Sequence, residues 1–233
     1  MEQGSTEKKN TISLEELVDM VFEKDNEHQD SRYKGRDGLT LPDPVVEQYY
    51  VDDYNRILWL ESEIDEETIA IANEIIRYNM EDKGKAVEER KPITIFINSP
   101  GGLLDISMAI CDAITTSKTP IIGVNIGCAA SGAALIYAAC PIRQALPNSH
   151  FLLHLGCGGT YGTYQQTRQQ QAHYDYRIGR LRDILFNNLT ITDKDNFEKL
   201  IDGEWYLYAA DEDENSEHNA RAIGLINSEF SWD

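Results

Sequence analysis

The chain has 233 residues, of which 41% are hydrophobic, and its 40 acids and 21 bases give a formal net charge of −19. This length fits one large domain or two small ones, and the apolar content supports a sizeable core, which excludes disorder along the whole chain. No run of about eighteen apolar residues occurs, so the sequence predicts no membrane-spanning helix. The first ten residues include no apolar segment of the signal-peptide type, and we therefore expect a cytoplasmic protein.

The negative charge is concentrated at the two ends of the sequence. Residues 1–91 have 24 acids and 12 bases, residues 92–192 have 4 acids and 6 bases, and residues 193–233 have 12 acids and 3 bases. Because a field of this sign repels phosphate backbones, nucleic acid is not expected as a partner. The acidic ends are most simply interpreted as solvated surface.

A tail is predicted over residues 1–44, before a folded domain over residues 45–233. Within the tail, a capping-box pattern over residues 13–16 and apolar residues at helical spacing predict a short amphipathic helix over residues 14–22. The polar stretch over residues 25–40 is typical of a linker. The helix is expected to dock either on its own domain or on a partner, and the pattern favours neither.

Strands alternate with helices from residue 57 onward. Helices are predicted over residues 65–79 and 163–189, through residues 104–114 and from Gly127 to a point before Pro141, and Thr192 is expected to cap a further short helix. Nearly continuous apolar runs predict strands over residues 57–60, 93–97, 121–126, 150–155 and 205–208. This alternation predicts an α/β fold with a parallel sheet.

The long predicted helix 163–189 has two different halves. Its second half carries an apolar stripe, whereas its first half is rich in glutamine and has almost no apolar face. We therefore expect the first half to project into solvent or to contact another subunit.

The four cysteines form no Cys-x-x-Cys pair, and no histidine lies at zinc-finger spacing, so no metal site is expected. Cys111, Cys128 and Cys140 lie in apolar surroundings and are expected to be buried free thiols. Cys157 lies in a glycine-rich stretch and is expected to be accessible.

Ser131 is the first candidate for chemistry, since it lies among small residues where a predicted strand passes into a helix. Small neighbours allow a substrate backbone to approach, and a helix N-terminus supplies free N–H groups and the positive end of its dipole. These features suit a nucleophile whose tetrahedral product carries an oxyanion. A serine that stood alone in such a turn would more often be a helix cap.

His154 and a pair of glycines complete the candidate site. A lone histidine in an apolar strand is more often a core residue whose ring nitrogens are hydrogen-bonded. Ser131 and His154, however, fall at the ends of neighbouring predicted strands, and strands about 5 Å apart are close enough for a Ser–His pair. Gly101 and Gly102 form a strand-to-helix turn with bare N–H groups, and without a phosphate-loop motif nucleotide binding is not supported. The N–H of Gly132 would supply a second donor to an oxyanion hole.

Four sequence blocks resemble the proteolytic subunit of the Clp protease (the ClpP family) in order and spacing, over about residues 50–227. The blocks are Asn98–Gly102, Ala129–Gly132, Leu146–Ser149 followed by His154, and Gly158–Gly159. The resemblance implies the ClpP/crotonase-like fold, with a parallel sheet, flanking helices and a projecting handle helix over residues 163–189. It also implies a serine endopeptidase that acts on unfolded polypeptides or peptides with neither cofactor nor metal.

The resemblance also implies roles for individual residues and for partners. Ser131 would be the nucleophile, His154 the general base, and the N–H groups of Gly102 and Gly132 the oxyanion hole. The glycine-rich segment 156–162, with Gly156, Gly158 and Gly159, would pair with an extended substrate as an added strand. Family members form heptameric homo-oligomeric rings, stacked as tetradecamers, and receive unfolded chains from a separate Clp-type ATPase.

The chain departs from the family pattern at the third member of the triad. The family has an aspartate three residues before the leucine of the last core strand, and counting back from Leu207 gives Glu204, with Asp202 as the alternative. The arginine that usually accompanies this aspartate is replaced by Gly203 or Trp205, which weakens the inference to a tetradecamer.

Two further departures concern the residue after the nucleophile and the tail. Gly132 stands where the family usually has methionine, and the tail of about 44 residues is longer than usual, which suggests a propeptide or a docking tail. Two alternatives share the fold: a maturation protease of capsid scaffolds and a catalytically inactive ring subunit. A Ser-Lys peptidase is set aside because Lys118 is the only lysine between residues 92 and 192, and a crotonase-type acyl-CoA enzyme because it needs no Ser–His pair.

Overall fold

The computed structural model of the protein describes residues 43–231. The amphipathic helix predicted over residues 14–22 and the linker after it lie outside the described residues. The chain divides into two units after Val51, and the second unit contains all of the strands described below. The predicted boundary between residues 44 and 45 stays a prediction.

Six α-helices and six strands occur within residues 43–231. The helices are α1 (Pro44–Asn55), α2 (Ala70–Glu81), α3 (Leu104–Thr116), α4 (Gly132–Ala139), α5 (Tyr164–Asn188) and α6 (Lys194–Ile201). The strands are β1 (Ile57–Leu60), β2 (Ile93–Ser99), β3 (Ile121–Ala130), β4 (Ile142–Ala145), β5 (His150–Leu153) and β6 (Trp205–Tyr208). Short 3₁₀ turns precede α2 and β2, at Glu67–Ile69 and Val87–Glu89.

The strands form one mostly parallel sheet in the order β1-β2-β3-β5-β6, with β4 also paired to β3. All pairs are parallel except β5 with β6. Helices pack against the sheet, so the predicted α/β class with a parallel sheet is confirmed. The carboxyl ends of β2, β3 and β5 meet at one edge of the sheet, where the connections can build a site.

The core follows the apolar pattern of the sequence. In β2, Ile93, Ile95 and Ile97 are buried in alternation, as expected for a strand with side chains on two faces. All eight residues of α4 are buried, because the helix consists of alanines, a glycine, Leu135, Ile136 and an aromatic residue, with no polar face to expose.

Strand β3 is longer than predicted and has two partners along one edge. Its first half pairs with β4 and its last three residues pair with β5. Asn125 lies where the partner changes: its buried side chain donates to His150 O (2.9 Å) and accepts from the N–H of Gly127 (3.0 Å). This amide replaces ladder hydrogen bonds that neither neighbouring strand supplies at that point.

Three local predictions are corrected by these boundaries. Gly127 does not begin a helix, because β3 continues to Ala130 and α4 begins at Gly132. The strand predicted to reach Leu155 ends at Leu153, so His154 lies just beyond it. Asp193, rather than Thr192, caps α6, since its carboxylate accepts from the N–H of Asn196 (3.1 Å).

Helix α5 begins and ends within one residue of the predicted bounds. Thr163 caps it in a capping box with Gln166. Its buried residues, Ile178, Leu181 and Leu185, all belong to the second half, while nearly all of residues 164–173 are exposed. The expected contrast between the two halves is therefore confirmed. Over residues 43–231, no helix combines the length and the apolar character that crossing a bilayer requires.

A buried ion pair joins the start of β1 to the end of α2. Arg56 donates to both carboxylate oxygens of Asp82 (2.5 and 3.0 Å), and Lys85 Nζ and Thr119 Oγ1 also donate to this carboxylate (2.8 and 3.0 Å). Asp82 is fully buried. The hydrogen bonds, that from Arg56 above all, hold the pKa of Asp82 well below its usual range.

We expect Asp82→Asn to lower the free energy of unfolding by about 3–5 kcal/mol at pH 7, because it leaves the Arg56 charge buried without its partner. In the wild type, this carboxylate contributes stability above an unfolded-state pKa of about 4 and loses it progressively as the pH falls toward the lower folded pKa. Urea unfolding between pH 7 and pH 2 measures both effects. Glu81→Gln, which removes a half-exposed partner of Arg56 at 3.6 Å, serves as the control and should cost less than about 1 kcal/mol. Equal costs for the two variants would contradict the buried pair's role.

Candidate active site

Ser131 is the single residue between β3 and α4, and its backbone is strained. Its φ of 53° and ψ of −121° lie in a region that a residue with a side chain rarely adopts. The serine side chain makes no capping hydrogen bond to α4, so the helix-cap interpretation does not explain it. Strained serines in sharp strand-to-helix turns are typical of nucleophiles that must be exposed to substrate.

The turn at Gly101 and Gly102 packs directly on the backbone around Ser131. A Cβ at Gly101 would lie 2.5 Å from Ala130 O and 2.8 Å from Ser131 Cβ, and one at Gly102 would lie 2.2 Å from Ile64 O. Both residues also have positive φ, of 91° and 152°. Only glycine therefore allows the two turns to approach this closely.

Two hydrogen bonds hold the glycine turn in place from the other side. Ile64 donates its N–H to Gly101 O and accepts from the N–H of Leu103, both at 2.8 Å. Among residues 43–231, the N–H of Gly102 makes no hydrogen bond to a backbone carbonyl, and neither does the N–H of Gly132. These two N–H groups are the donors that the sequence proposed for an oxyanion hole, and that of Gly132 is at the positive end of α4.

His154 lies just after β5, next to the Ser131 turn. Strand β5 pairs in parallel with the end of β3, with Ala130 opposite Leu152, and Ser131 donates its N–H to Leu152 O (2.8 Å). Nε2 of His154 is buried and makes no hydrogen bond to any described residue. Burying a ring nitrogen without a hydrogen-bond partner costs free energy, and a nitrogen without a partner is able to accept a proton during a reaction.

A cavity of about 570 Å³ brings most of the predicted site residues together. Ser131, His154, Gly102, Gly132 and Gly156 all line it. The remaining lining residues are Glu63, Pro100, Gly101, Leu103, Leu104, Leu152, Leu155, Cys157, Tyr174 and Leu181. Glu204, Gly158 and Gly159 do not line this cavity; the two glycines are exposed in the loop that leads to α5.

The loop over residues 156–162 has an unpaired backbone. It belongs to no strand, and its N–H and C=O groups make no hydrogen bond to the backbone of the described part of the chain. Tyr174 of α5 supports its start, donating to Leu155 O (3.3 Å). An unpaired, exposed backbone at the mouth of a cavity can accept an extended peptide as an added strand.

Glu204 lies across from His154 in the sheet but contacts another residue. The antiparallel β5–β6 register ends with Leu153 opposite Trp205, so the next residues, His154 and Glu204, face each other one step beyond the ladder. Glu204 Oε2 accepts a hydrogen bond from Tyr206 Oη (3.0 Å), which raises the pKa of Tyr206.

The described residues show no hydrogen bond from Ser131 Oγ to His154 and none from His154 to Glu204. Catalytic hydrogen bonds are often long or misaligned in unliganded proteins and tighten when substrate binds. Asp202, the alternative acid, ends α6 two residues farther from the ladder.

The sequence profile of the Clp protease family matches residues 45–228, which cover the whole sheet and every residue of the cavity. The chain belongs to the Clp protease family. This confirms the resemblance and, together with the sheet described above, the ClpP-type fold.

Individual relatives agree with this assignment. The chain is 31% identical over 204 residues to ATP-dependent Clp protease proteolytic subunit 3 of Synechococcus sp. strain CC9902, covering 82% of this chain and 92% of the relative. It is 31% identical over 197 residues to proteolytic subunit 2 of Prochlorococcus marinus strain MIT 9313, covering 80% and 90%. It is 33% identical over 136 residues to proteolytic subunit 3 of Rhizobium meliloti strain 1021, covering 58% and 65%.

Two cavity residues escaped the sequence analysis. Glu63 and Tyr174 come from the segment after β1 and from α5, far from the glycine and serine blocks in the chain. Glu63 belongs to no local pattern, and Tyr174 belongs to the apolar stripe predicted for the second half of the helix, which did not indicate that it lines a site. The cysteine predictions are confirmed for Cys111 and Cys140, which are buried, and for Cys157, which is exposed; Cys128 is half-buried.

Gly132, where methionine is usual in the family, has a local explanation in this chain. A Cβ at Gly132 would lie 2.3 Å from Ser107 Oγ, a buried hydroxyl of α3 that donates to Leu103 O (2.9 Å). The hydroxyl therefore occupies the space that a side chain after the nucleophile would need.

We expect Gly132→Ala to lower the free energy of unfolding by about 1–3 kcal/mol through overpacking. Adding Ser107→Ala should restore part of the loss, since the next atom, Ser107 Cβ, would be 3.3 Å away. Gly179→Ala, where a Cβ meets nothing within 4 Å, is the matched control and should stabilise α5 slightly. Urea unfolding of the four variants completes a double-mutant cycle, and additive effects of the changes at 107 and 132 would contradict this explanation.

Proposed function

We propose that this chain is a serine endopeptidase that cleaves unfolded polypeptides or peptides. One observation carries the proposal: Ser131, in a strained turn, shares a single cavity with the unpartnered Nε2 of His154 and with two N–H groups that have no backbone acceptor. The names of the relatives, which are proteolytic subunits, support the same reaction class.

In this mechanism Ser131 Oγ attacks the carbonyl carbon of the scissile bond while His154 accepts its proton. The oxyanion that forms accepts hydrogen bonds from the N–H groups of Gly102 and Gly132. The C–N bond then breaks, and the imidazolium returns the proton to the leaving amine. Water, deprotonated by His154, hydrolyses the acyl-enzyme and releases the second product and free Ser131.

Glu204 is the proposed third member of the triad. The register places it opposite His154, and the hydrogen bond from Tyr206 occupies Oε2, which leaves Oε1 for the imidazole. Glutamate has one methylene more than aspartate and therefore more rotamers. The hydrogen bond from Tyr206 to Oε2 restricts these additional rotamers. In this role Glu204 orients the ring and stabilises its protonated form.

The substrate backbone is proposed to pair with the segment 156–162, to which Gly156, Gly158 and Gly159 belong. The exposed first half of α5 supports assembly into a homo-oligomer, proposed as a heptameric ring that can stack as a tetradecamer, since residues 164–173 pack on no core of the described chain. Unfolded substrates would be supplied by a separate Clp-type ATPase. Native mass spectrometry measures the subunit number, and a peptide-cleavage assay with and without such an ATPase tests the partner.

A non-catalytic ring subunit is the second candidate function. The described residues show neither triad hydrogen bond, and the Glu204 carboxylate is paired with Tyr206 instead of His154. In this case the fold would serve assembly, and Ser131 would not react.

The reactivity of Ser131 separates the two candidates. We expect a fluorophosphonate probe to label the assembled protein at Ser131, because the nearby base and N–H donors activate its hydroxyl. Ser131→Ala should abolish labelling and lower peptide cleavage by at least about 10³-fold. Ser62→Ala, an exposed serine outside the cavity, should change neither. An unlabelled wild-type protein, beside a reference serine peptidase that reacts, would support the structural subunit instead.

Paired substitutions identify the acid. Glu204→Gln should lower kcat by about 10²–10⁴-fold, because a neutral amide neither fixes the histidine tautomer nor stabilises the imidazolium. Asp202→Asn, two residues away and also exposed, should stay within about twofold of wild type. Steady-state kinetics on one fluorogenic peptide measures both. The reverse result would assign the role to Asp202.

A further inference from the structure

Besides the imidazole of His154, the cavity around Ser131 has a single ionisable side chain of the Asp, Glu, Lys or Arg type among its described lining residues. Among its described lining residues, Glu63 is the single carboxylate, and neither lysine nor arginine contributes. Most of the other lining residues are leucines and glycines. A charge on a substrate side chain near the scissile bond would therefore meet Glu63 as the only fixed charge of the wall.

Hydrogen bonds hold Glu63 beside the proposed oxyanion hole. The residue that follows it, Ile64, bonds to Gly101 O and to the N–H of Leu103 at 2.8 Å each, and it forms a parallel bridge with Gly102. Because Ile64 is fixed on both sides, the backbone of Glu63 is fixed next to the donor Gly102. Glu63 is therefore held at the wall of the cavity, beside the proposed oxyanion hole.

The charge of Glu63 is not neutralised by a described neighbour. Its side chain is exposed at the cavity, and no ion pair within residues 43–231 involves it, in contrast to Asp53, Glu74 and Asp82, which pair with arginines. All other lining residues come from residues 92–192, a stretch with 4 acids and 6 bases, so Glu63 is the local source of negative charge. The potential at the cavity mouth therefore attracts cationic side chains and repels anionic ones.

We infer that Glu63 determines substrate specificity: the site favours peptides with lysine or arginine beside the scissile bond over peptides with aspartate or glutamate there. This inference rests on the proposed peptidase function and adds the charge class of its substrates. The primary apolar contacts remain with the leucines of the wall.

The test uses blocked, internally quenched peptides that differ only at one position next to the scissile bond, which holds lysine, glutamine or glutamate. We expect kcat/KM to fall in that order at low salt, with a lysine-to-glutamate ratio of about tenfold, and the ratio to shrink as ionic strength rises toward 1 M. Glu63→Gln should bring the ratio close to one, and Glu63→Lys should reverse the order. Glu61→Gln, an exposed acid two residues earlier that does not line the cavity, should leave the ratio unchanged.

A wild-type protein without preference, or a preference that survives Glu63→Gln, would overturn the inference. Failure of the peptidase function is distinguished by binding: Ser131→Ala protein, which cannot cleave, is titrated with the same peptides carrying a fluorophore for anisotropy. Tighter binding of the lysine peptide, lost in the Ser131→Ala/Glu63→Gln double variant, supports the role of Glu63 even if no peptide is hydrolysed. Equal affinities for the lysine and glutamate peptides refute it.

Discussion

The site depends on the pairing of the last three residues of β3 with β5. The hydrogen bond from the N–H of Ser131 to Leu152 O, at 2.8 Å, closes this pairing and sets the distance between the Ser131 turn and the strand that His154 follows. This pairing requires β3 to separate from β4 after Asn125. The buried side-chain amide of Asn125 makes hydrogen bonds at the point where the partner strand changes from β4 to β5. Every other feature of the cavity is arranged around these two strand ends.

Much of the site could be predicted from residue types whose reasons are local. Gly101 and Gly102 are dictated by close contacts and positive φ, and Ser131 by its turn, so each leaves a signal in its own segment. The end of β3 was mispredicted because Gly127 and the alanines after it resemble a helix start, whereas pairing with β5 keeps them extended. Strand β4 was missed because its sequence, with Arg143 and Gln144 at its centre, is not a continuous apolar run like those of the predicted strands.

The remaining features depend on contacts between distant segments, which no local pattern announces. Glu63 reaches the cavity through the bridge of Ile64 to the glycine turn, across 38 residues of chain, and Tyr174 reaches it from α5. Counting along the sequence left Glu204 and Asp202 as candidates for the proposed acid, and the β5–β6 register, which ends with Leu153 opposite Trp205, favours Glu204. The hydrogen bond from Tyr206 to Glu204 could not be inferred from the sequence. It forms only because these residues, two apart in the chain, lie on the same face of the extended backbone.

The fixed turns of the cavity differ from the adjoining segment 156–162 in how much ordering a bound peptide would require. Helix α4 is buried on all sides and the glycine turn packs against it, so Ser131 and the N–H groups of Gly102 and Gly132 are held in place without a ligand. The segment 156–162 starts with an unpaired backbone, and fixing such a backbone costs about 1–2 kcal/mol per residue. A short peptide that pairs with only part of this segment forms few ladder hydrogen bonds to offset this cost, whereas a longer peptide forms more of them. If the segment 156–162 binds substrate as proposed, ligand length would control affinity there as well as side-chain chemistry.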